Sequence, residues 1–211
     1  MPEEMFFQEH ADMQDALLNT CVASIKSSIT DHGRATLFVS GGRSPAELYK
    51  ALSQCPLEWN KVTIALVDER WVDEDHEFSN AAFIRKCLLQ GPAAAATFVG
   101  MKNSAASALA GSALCNEHYT NILGPWSLCL IGMGPDGHFA SLFPEAQGLS
   151  EALHLEHAPL CAAITAKVSD VTGSITERMS LSLKAILKSE KKILMISGDA
   201  KLKVYQQAAA S

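Results

Sequence analysis

The run Gly132-Met133-Gly134-Pro135-Asp136-Gly137-His138 places a carboxylate and an imidazole two residues apart on a glycine-flexed turn. A histidine can take a proton from water near neutral pH, and a neighbouring carboxylate can orient the ring or stabilise its charged form; a histidine of an ordinary surface loop is the alternative reading. The run formally contains G-x-G-x-x-G. Pro135 stiffens it, His138 follows at once, and no acidic residue ends a further strand about 20 residues on, so it does not read as a dinucleotide-binding loop. A second turn, Ser40-Gly41-Gly42-Arg43-Ser44, lets backbone N–H groups approach an anion ahead of a helix N-terminus. It lacks Walker spacing, and an ordinary tight turn is the alternative reading. Asp68-Glu69-Arg70 adds two carboxylates and a guanidinium, whose planar fork suits oxyanions and phosphates; a self-neutralising surface ion pair is the alternative there.

Other polar clusters carry less. Asp73-Glu74-Asp75-His76-Glu77 reads as a solvated loop. His154-Leu155-Glu156-His157 spaces two histidines at i,i+3, the wrong interval for a zinc helix, and offers no third ligand, so no metal site is expected. The six cysteines form no C-x-x-C and read as reduced, buried thiols of a cytoplasmic protein.

The elements that position these residues follow from apolar spacing. Met13, Leu17, Leu18, Cys21, Val22, Ile25 and Ile29 recur at helical intervals, and His32-Gly33 ends that helix. Ala35 to Val39 is a short apolar run that suits a buried strand. Ser44-Pro45-Ala46-Glu47 reads as a helix start, with Ser44 as N-cap, Pro45 at the first helical position and Glu47 completing a capping box. Val62 to Val67 is a strand that breaks at Asp68-Glu69-Arg70, and a helix follows over about 79–89. Further helices are expected over 105–122 and from Ser197-Gly198-Asp199 onward, with strands at 127–131 and 192–196. Gly91 to Ala96 reads as a connector. Strands alternating with helices predict parallel βαβ units, hence an α/β sandwich with helices on both faces. Each polar cluster directly follows a strand, and ligands of such sheets bind beyond the strands' carboxyl ends.

Composition bounds the rest. The chain has 211 residues, 48% of them apolar, and carries a net charge of −6, without the basic stripe of a nucleic-acid binder. No apolar stretch reaches a membrane span of about 18 residues, and Met1-Pro2-Glu3-Glu4 is no signal-peptide start. A single domain spanning 1–211 is expected, with no nucleic-acid or membrane partner.

The stretch from Leu130 to Pro144, with Gly134-Pro135-Asp136-Gly137-His138 at its centre, resembles the signature of the 6-phosphogluconolactonases. The resemblance extends in order over about 38–205. It takes in Ser40-Gly41-Gly42-Arg43-Ser44-Pro45, Asp68-Glu69-Arg70 followed by Ser79-Asn80, Glu177-Arg178 ahead of a short strand, and Gly198-Asp199-Ala200-Lys201. The chain departs from the family where Phe139 replaces a common threonine and Glu145 a common glycine.

The resemblance implies a Rossmann-like three-layer sandwich, a mostly parallel sheet with helices on both faces. It also implies a cytoplasmic enzyme of the pentose phosphate pathway that hydrolyses 6-phospho-D-glucono-1,5-lactone without a cofactor or metal. His138 would be general base, oriented by Asp136, with Arg70 or the backbone N–H groups of the glycine turns holding the oxyanion. The substrate and its phosphate would meet Ser40, Gly41, Gly42, Arg43, Ser44, Asp68, Glu69, Gly134, Gly137, Arg178 and Lys201. The partner is a small sugar phosphate, and monomer and homodimer both stay open. The related glucosamine-6-phosphate deaminases share the G-x-D-G-H turn. They usually carry tyrosine at Arg70 and an F-N-E-P-like run at Ser141-Leu142-Phe143-Pro144, so an aldose–ketose isomerase is the alternative. A non-catalytic sugar-phosphate sensor is a third reading; such sensors normally carry a helix-turn-helix ahead of the domain, which residues 1–34 do not resemble.

Overall fold

The structure, a computed structural model, describes residues 3–42 and 44–210. Among them, eight strands form two sheets: β1 (Ala35–Val39), β2 (Val62–Leu66), β3 (Asp68–Arg70), β4 (Thr97–Val99), β5 (Leu128–Gly132), β6 (Cys161–Thr165), β7 (Glu177–Leu181) and β8 (Lys191–Met195). The helices are α1 (His10–His32), α2 (Ala46–Ser53), α3 (Asn80–Cys87), α4 (Ala108–Thr120), α5 (Leu149–Leu153), α6 (Leu183–Leu187) and α7 (Asp199–Ala209).

The central sheet runs in the order β4-β2-β1-β5-β8, and every pairing within it is parallel. All five residues of β1 are buried, as an apolar strand covered on both faces requires. The helices surround this sheet, so the expected α/β architecture holds. Phe38 of β1 packs on Trp126 with ring centroids 4.3 Å apart. The Tyr119 hydroxyl of α4 donates to Leu66 O at 2.9 Å and accepts from Leu66 N at 3.0 Å, so a buried phenol finds both partners on β2.

Local chemistry sets most helix ends. Gly33 closes α1 at φ 73, its N–H donating to Ile29 O. Ser79, Ser107 and Ser182 cap α3, α4 and α6 by accepting from the backbone N–H three residues on. The expected cap of α2 is corrected: Pro45 occupies the N-cap with no side-chain bond, and Ser44 lies in the preceding turn, so the helix starts at Ala46.

A second correction matters more for the site. Asp68-Glu69-Arg70 is not a loop after β2 but a strand of its own, in a three-stranded antiparallel sheet of order β3-β7-β6. Likewise Glu177-Arg178 begins β7 rather than preceding it. The pairing sets Asp68 opposite Ser180 and Arg70 opposite Arg178. A smaller apolar cluster, including Leu142, Phe143, Ala152 and Ile164, packs behind this sheet.

Gly148 joins that cluster to β6. It has φ 90, and a Cβ placed there would meet Ala163 O at 2.3 Å. Gly148→Ala combines an αL penalty with a backbone collision, and is expected to destabilise by about 2–4 kcal/mol in urea unfolding. An unchanged midpoint would refute this close approach.

Candidate active site

A cleft of about 460 Å³ opens at the carboxyl ends of β1, β5 and β8. The turns after these strands supply Ser40, Gly41, Gly42 and Ser44, then Gly132 to Gly134 and His138, then Ile196 and Ser197. The small sheet adds Asp68, Arg70 and Arg178, and α7 adds Lys201. Two sheets thus bring together segments that are far apart in sequence. Arg43 lies outside the described residues.

His138 is held tightly. Its ring Nδ1 lies 2.5 Å from Asp136 Oδ1, and its backbone N–H donates to the same oxygen at 3.3 Å. The ring stacks on Phe143 with centroids 4.2 Å apart. On another side it rests on Gly134, where a Cβ would fall 2.1 Å from His138 Cε1. Glycine is therefore required at 134 by the imidazole itself. With Nδ1–H donated to Asp136, the neutral ring presents Nε2 as a base, and Nε2 has no hydrogen-bond partner among the described residues.

The backbone of this turn is largely engaged. Gly134 N–H donates to His138 O at 2.8 Å, and Gly137 N–H to Gly134 O at 3.1 Å. Gly137, at φ 85, shapes the turn and does not line the cleft; its expected place in substrate binding is corrected. The N–H groups of Gly41, Gly42 and Ser44, by contrast, make no hydrogen bond among the described residues.

Around Arg70 the polar groups form one network. Its Nη1 donates to Phe78 O at 2.9 Å and to Asn80 Oδ1 at 2.7 Å. Asn80 Nδ2 donates to Asp68 O at 2.8 Å, and Ser141 Oγ to Asp68 Oδ2 at 2.6 Å. Asp68 borders the cleft with its carboxylate already engaged. Arg178, 5% exposed, donates through Nε to Ile175 O and through Nη2 to Thr172 O, and its guanidinium lies over the Phe143 ring. Burial, then the neighbouring Arg70, lowers the Arg178 pKa to about 10, against the pull of Asp68 and Glu69, and it stays charged at neutral pH. Lys201 borders the cleft from the first turn of α7, with no side-chain hydrogen bond or ion pair to a described residue.

Glu69 is a correction. It is fully buried and accepts from the N–H groups of Arg70, Asn80 and Ala81 and from Ser79 Oγ, at 2.7–3.2 Å. With both oxygens occupied and no face to the cleft, it holds the N-terminus of α3 rather than a substrate. Asn80 and Phe143 line the cleft but carried no site expectation, although the family-like motifs contained them, and Ser141 lies beneath it, holding Asp68. His10 and Met13 at the start of α1 also border the cleft, hidden in the sequence by an unremarkable amphipathic repeat. His154 and His157 stack on each other at the surface. Among the described residues no group of three or more His, Cys, Asp or Glu side chains is placed to hold a metal ion.

The sequence profile of the glucosamine-6-phosphate isomerases/6-phosphogluconolactonase family matches residues 8–211. A 6-phosphogluconolactonase of Pseudomonas aeruginosa is 36% identical over 200 residues, covering 95% of this chain and 82% of the relative. The crystal structure of a 6-phosphogluconolactonase from Shewanella baltica superposes with a TM-score of 0.89 at 35% identity, over 96% of this chain and 84% of that one. A monomeric glucosamine-6-phosphate deaminase superposes with a TM-score of 0.77 at 17% identity, covering 98% of this chain and 86% of its own, a likeness of fold alone.

Burial pushes the Glu69 carboxyl up from its ordinary 4.5 to about 7, against the lowering effect of its three backbone N–H bonds. A folded-state value above the unfolded one gives stability that is complete below pH 4.5 and lost as pH rises through 7. Wild-type unfolding free energy should therefore fall more steeply between pH 5 and 8 than that of Glu69→Gln, by up to about 3 kcal/mol. Parallel pH profiles for the two proteins would count against a raised carboxyl.

Proposed function

The chain belongs to the glucosamine-6-phosphate isomerase/6-phosphogluconolactonase family, and we propose that it hydrolyses 6-phospho-D-glucono-1,5-lactone to 6-phosphogluconate with His138 as general base. This is the second step of the oxidative pentose phosphate pathway. The observation that carries the mechanism is the 2.5 Å contact between His138 Nδ1 and Asp136 Oδ1, which orients the ring and leaves Nε2 for a water.

The steps follow from that geometry. His138 Nε2 takes a proton from water as the oxygen attacks the lactone carbonyl, and Asp136 stabilises the imidazolium. Negative charge develops on the carbonyl oxygen. Since the N–H groups of Gly134 and Gly137 are bonded within their own turn, the cation suited to this oxyanion is Arg70, whose Nε and Nη2 make no hydrogen bond to a described residue. The intermediate collapses as the ring oxygen leaves with the proton returned from Nε2–H. An activated ester yields to water directly, and no covalent enzyme intermediate is needed. The phosphate is assigned to the turn after β1 and the start of α7: the open N–H groups of Gly41, Gly42 and Ser44, with Ser40 and Lys201, and with Arg178, beside Arg70 on the small sheet, as a further cation.

A cytoplasmic location accords with this reading. All six cysteines are free thiols. Among the described residues, no helix is long and apolar enough to cross a membrane.

With the spontaneous rate subtracted, His138→Ala is expected to lower kcat by roughly 10²- to 10⁴-fold. Retention of most of kcat would sink the base assignment. Lys201→Ala should instead raise KM by about tenfold, the loss of one charge-assisted hydrogen bond, with kcat little changed. A normal KM in that variant would move the phosphate away from α7.

A further inference from the structure

Arg70 carries a long side chain whose rotamers must be restricted if its charge is to meet an oxyanion at a fixed place. Two acceptors restrain it, and they differ in kind. Phe78 O belongs to a surface loop, and the Phe78 side chain is 52% exposed. Asn80 is 2% exposed, at the first turn of α3, and both ends of its amide are bonded: Oδ1 accepts from Arg70 Nη1 at 2.7 Å, and Nδ2 donates to Asp68 O at 2.8 Å. A flipped amide would turn its NH2 toward the guanidinium and its oxygen toward a carbonyl, so the neighbours define its orientation. The backbone N–H of Asn80 is in turn anchored on Glu69 Oε1 at 2.7 Å. A Cβ on Gly41 would lie 1.9 Å from Asn80 Oδ1, so the glycine turn after β1 leaves room for the amide.

From this geometry we propose that Asn80 is a positioning residue of the lactonase reaction, acting through Arg70. The proposal rests on the reading of Arg70 as the oxyanion cation. Asn80 pins one edge of the guanidinium and directs Nε and Nη2 toward the reacting centre, without touching the substrate itself.

The test is a set of variants of the full chain assayed for lactone hydrolysis, each below its own unfolding temperature: Arg70→Ala, Asn80→Ala, the double variant and Asn80→Asp. Asn80→Ala should lower kcat by about tenfold to hundredfold with KM nearly unchanged, the signature of misplacing a group that acts in the transition state. The double variant should be no slower than Arg70→Ala alone, because Asn80 then has nothing to position. Asn80→Asp keeps an acceptor for Arg70 but sets a second carboxylate beside Asp68, so it should recover most of kcat while being the less stable protein. A merely structural role would make activity follow stability instead.

The proposal is overturned if the double variant loses the product of the two single effects, or if Asn80→Asp is as slow as Asn80→Ala. Should Arg70→Ala be slow and Asn80→Ala be normal, Asn80 alone loses its role. Should Arg70→Ala keep wild-type kcat, the oxyanion assignment fails first and the role of Asn80 fails with it.

Discussion

A carboxylate sealed from solvent meets the open end of a helix where β3 runs past α3. Helix N-termini leave backbone N–H groups without intrahelical partners, and the partial positive charge there favours an anion. Glu69 takes two of those N–H groups, from Asn80 and Ala81, along with the capping hydroxyl of Ser79. That attachment fixes α3 against β3, and the cleft wall is built outward from it. Asn80 is held over Asp68 and Arg70, Asp68 is held by Ser141, and Ser141 N–H donates to Ser180 Oγ on β7. The segment after β5 that carries His138 is thereby tied to the same small sheet that presents the arginines. A sequence of hydrogen bonds thus runs from a buried helix end through Asn80 and Asp68 to Ser141, three residues along the chain from His138.

Backbone conformations of the segment after β5 show what this placement requires. Between Met133 and Leu142 the chain folds back through Phe139, which bridges to both. Ala140 adopts φ 51 and Glu145 φ 59, the left-handed region that ordinary residues seldom enter. Such conformations persist where surrounding structure over-determines them, commonly beside active sites. Glu145 stands where the resembling family commonly has glycine, and its positive φ gives the physical reason for that preference. Its exposed carboxylate meets Lys167 at 2.6 Å, a contact worth little at the surface.

What was legible in the sequence divides along physical lines. β1 and α1 could be read closely, because a five-residue apolar run and a long helical repeat ending in glycine each leave a strong local pattern. The contact between Asp136 and His138 was also legible, since two residues two apart on a glycine-flexed turn are brought within reach of each other by the turn itself. The small antiparallel sheet was not. β3 is three polar residues, β6 is rich in alanine, and β7 reads Glu-Arg-Met-Ser-Leu, so none carries a hydrophobic period of its own. These strands exist because tertiary pairing makes them. Glu69 was misjudged for a related reason: residue type marks a carboxylate as a ligand, and only burial reveals that it serves a helix. Asn80, uncharged and capable of no acid–base chemistry, left no chemical signal at all.

The register that places Arg70 opposite Arg178 carries an electrostatic penalty. Like charges on facing residues of adjacent antiparallel strands repel, and Arg178 is almost wholly buried. Asp68 and Glu69 offset part of this, and carbonyl groups of residues 172 and 175 satisfy some of the Arg178 donors. Burial first, and the facing Arg70 second, lower the Arg178 pKa to about 10. A protein of net charge −6 thus concentrates opposed positive charge at one cleft wall. Low-dielectric walls focus that field into the cleft, where it favours negative charge. The register that sets Arg70 against Arg178 therefore costs the fold stability and, by the same placement, makes this wall of the cleft favourable to negative charge.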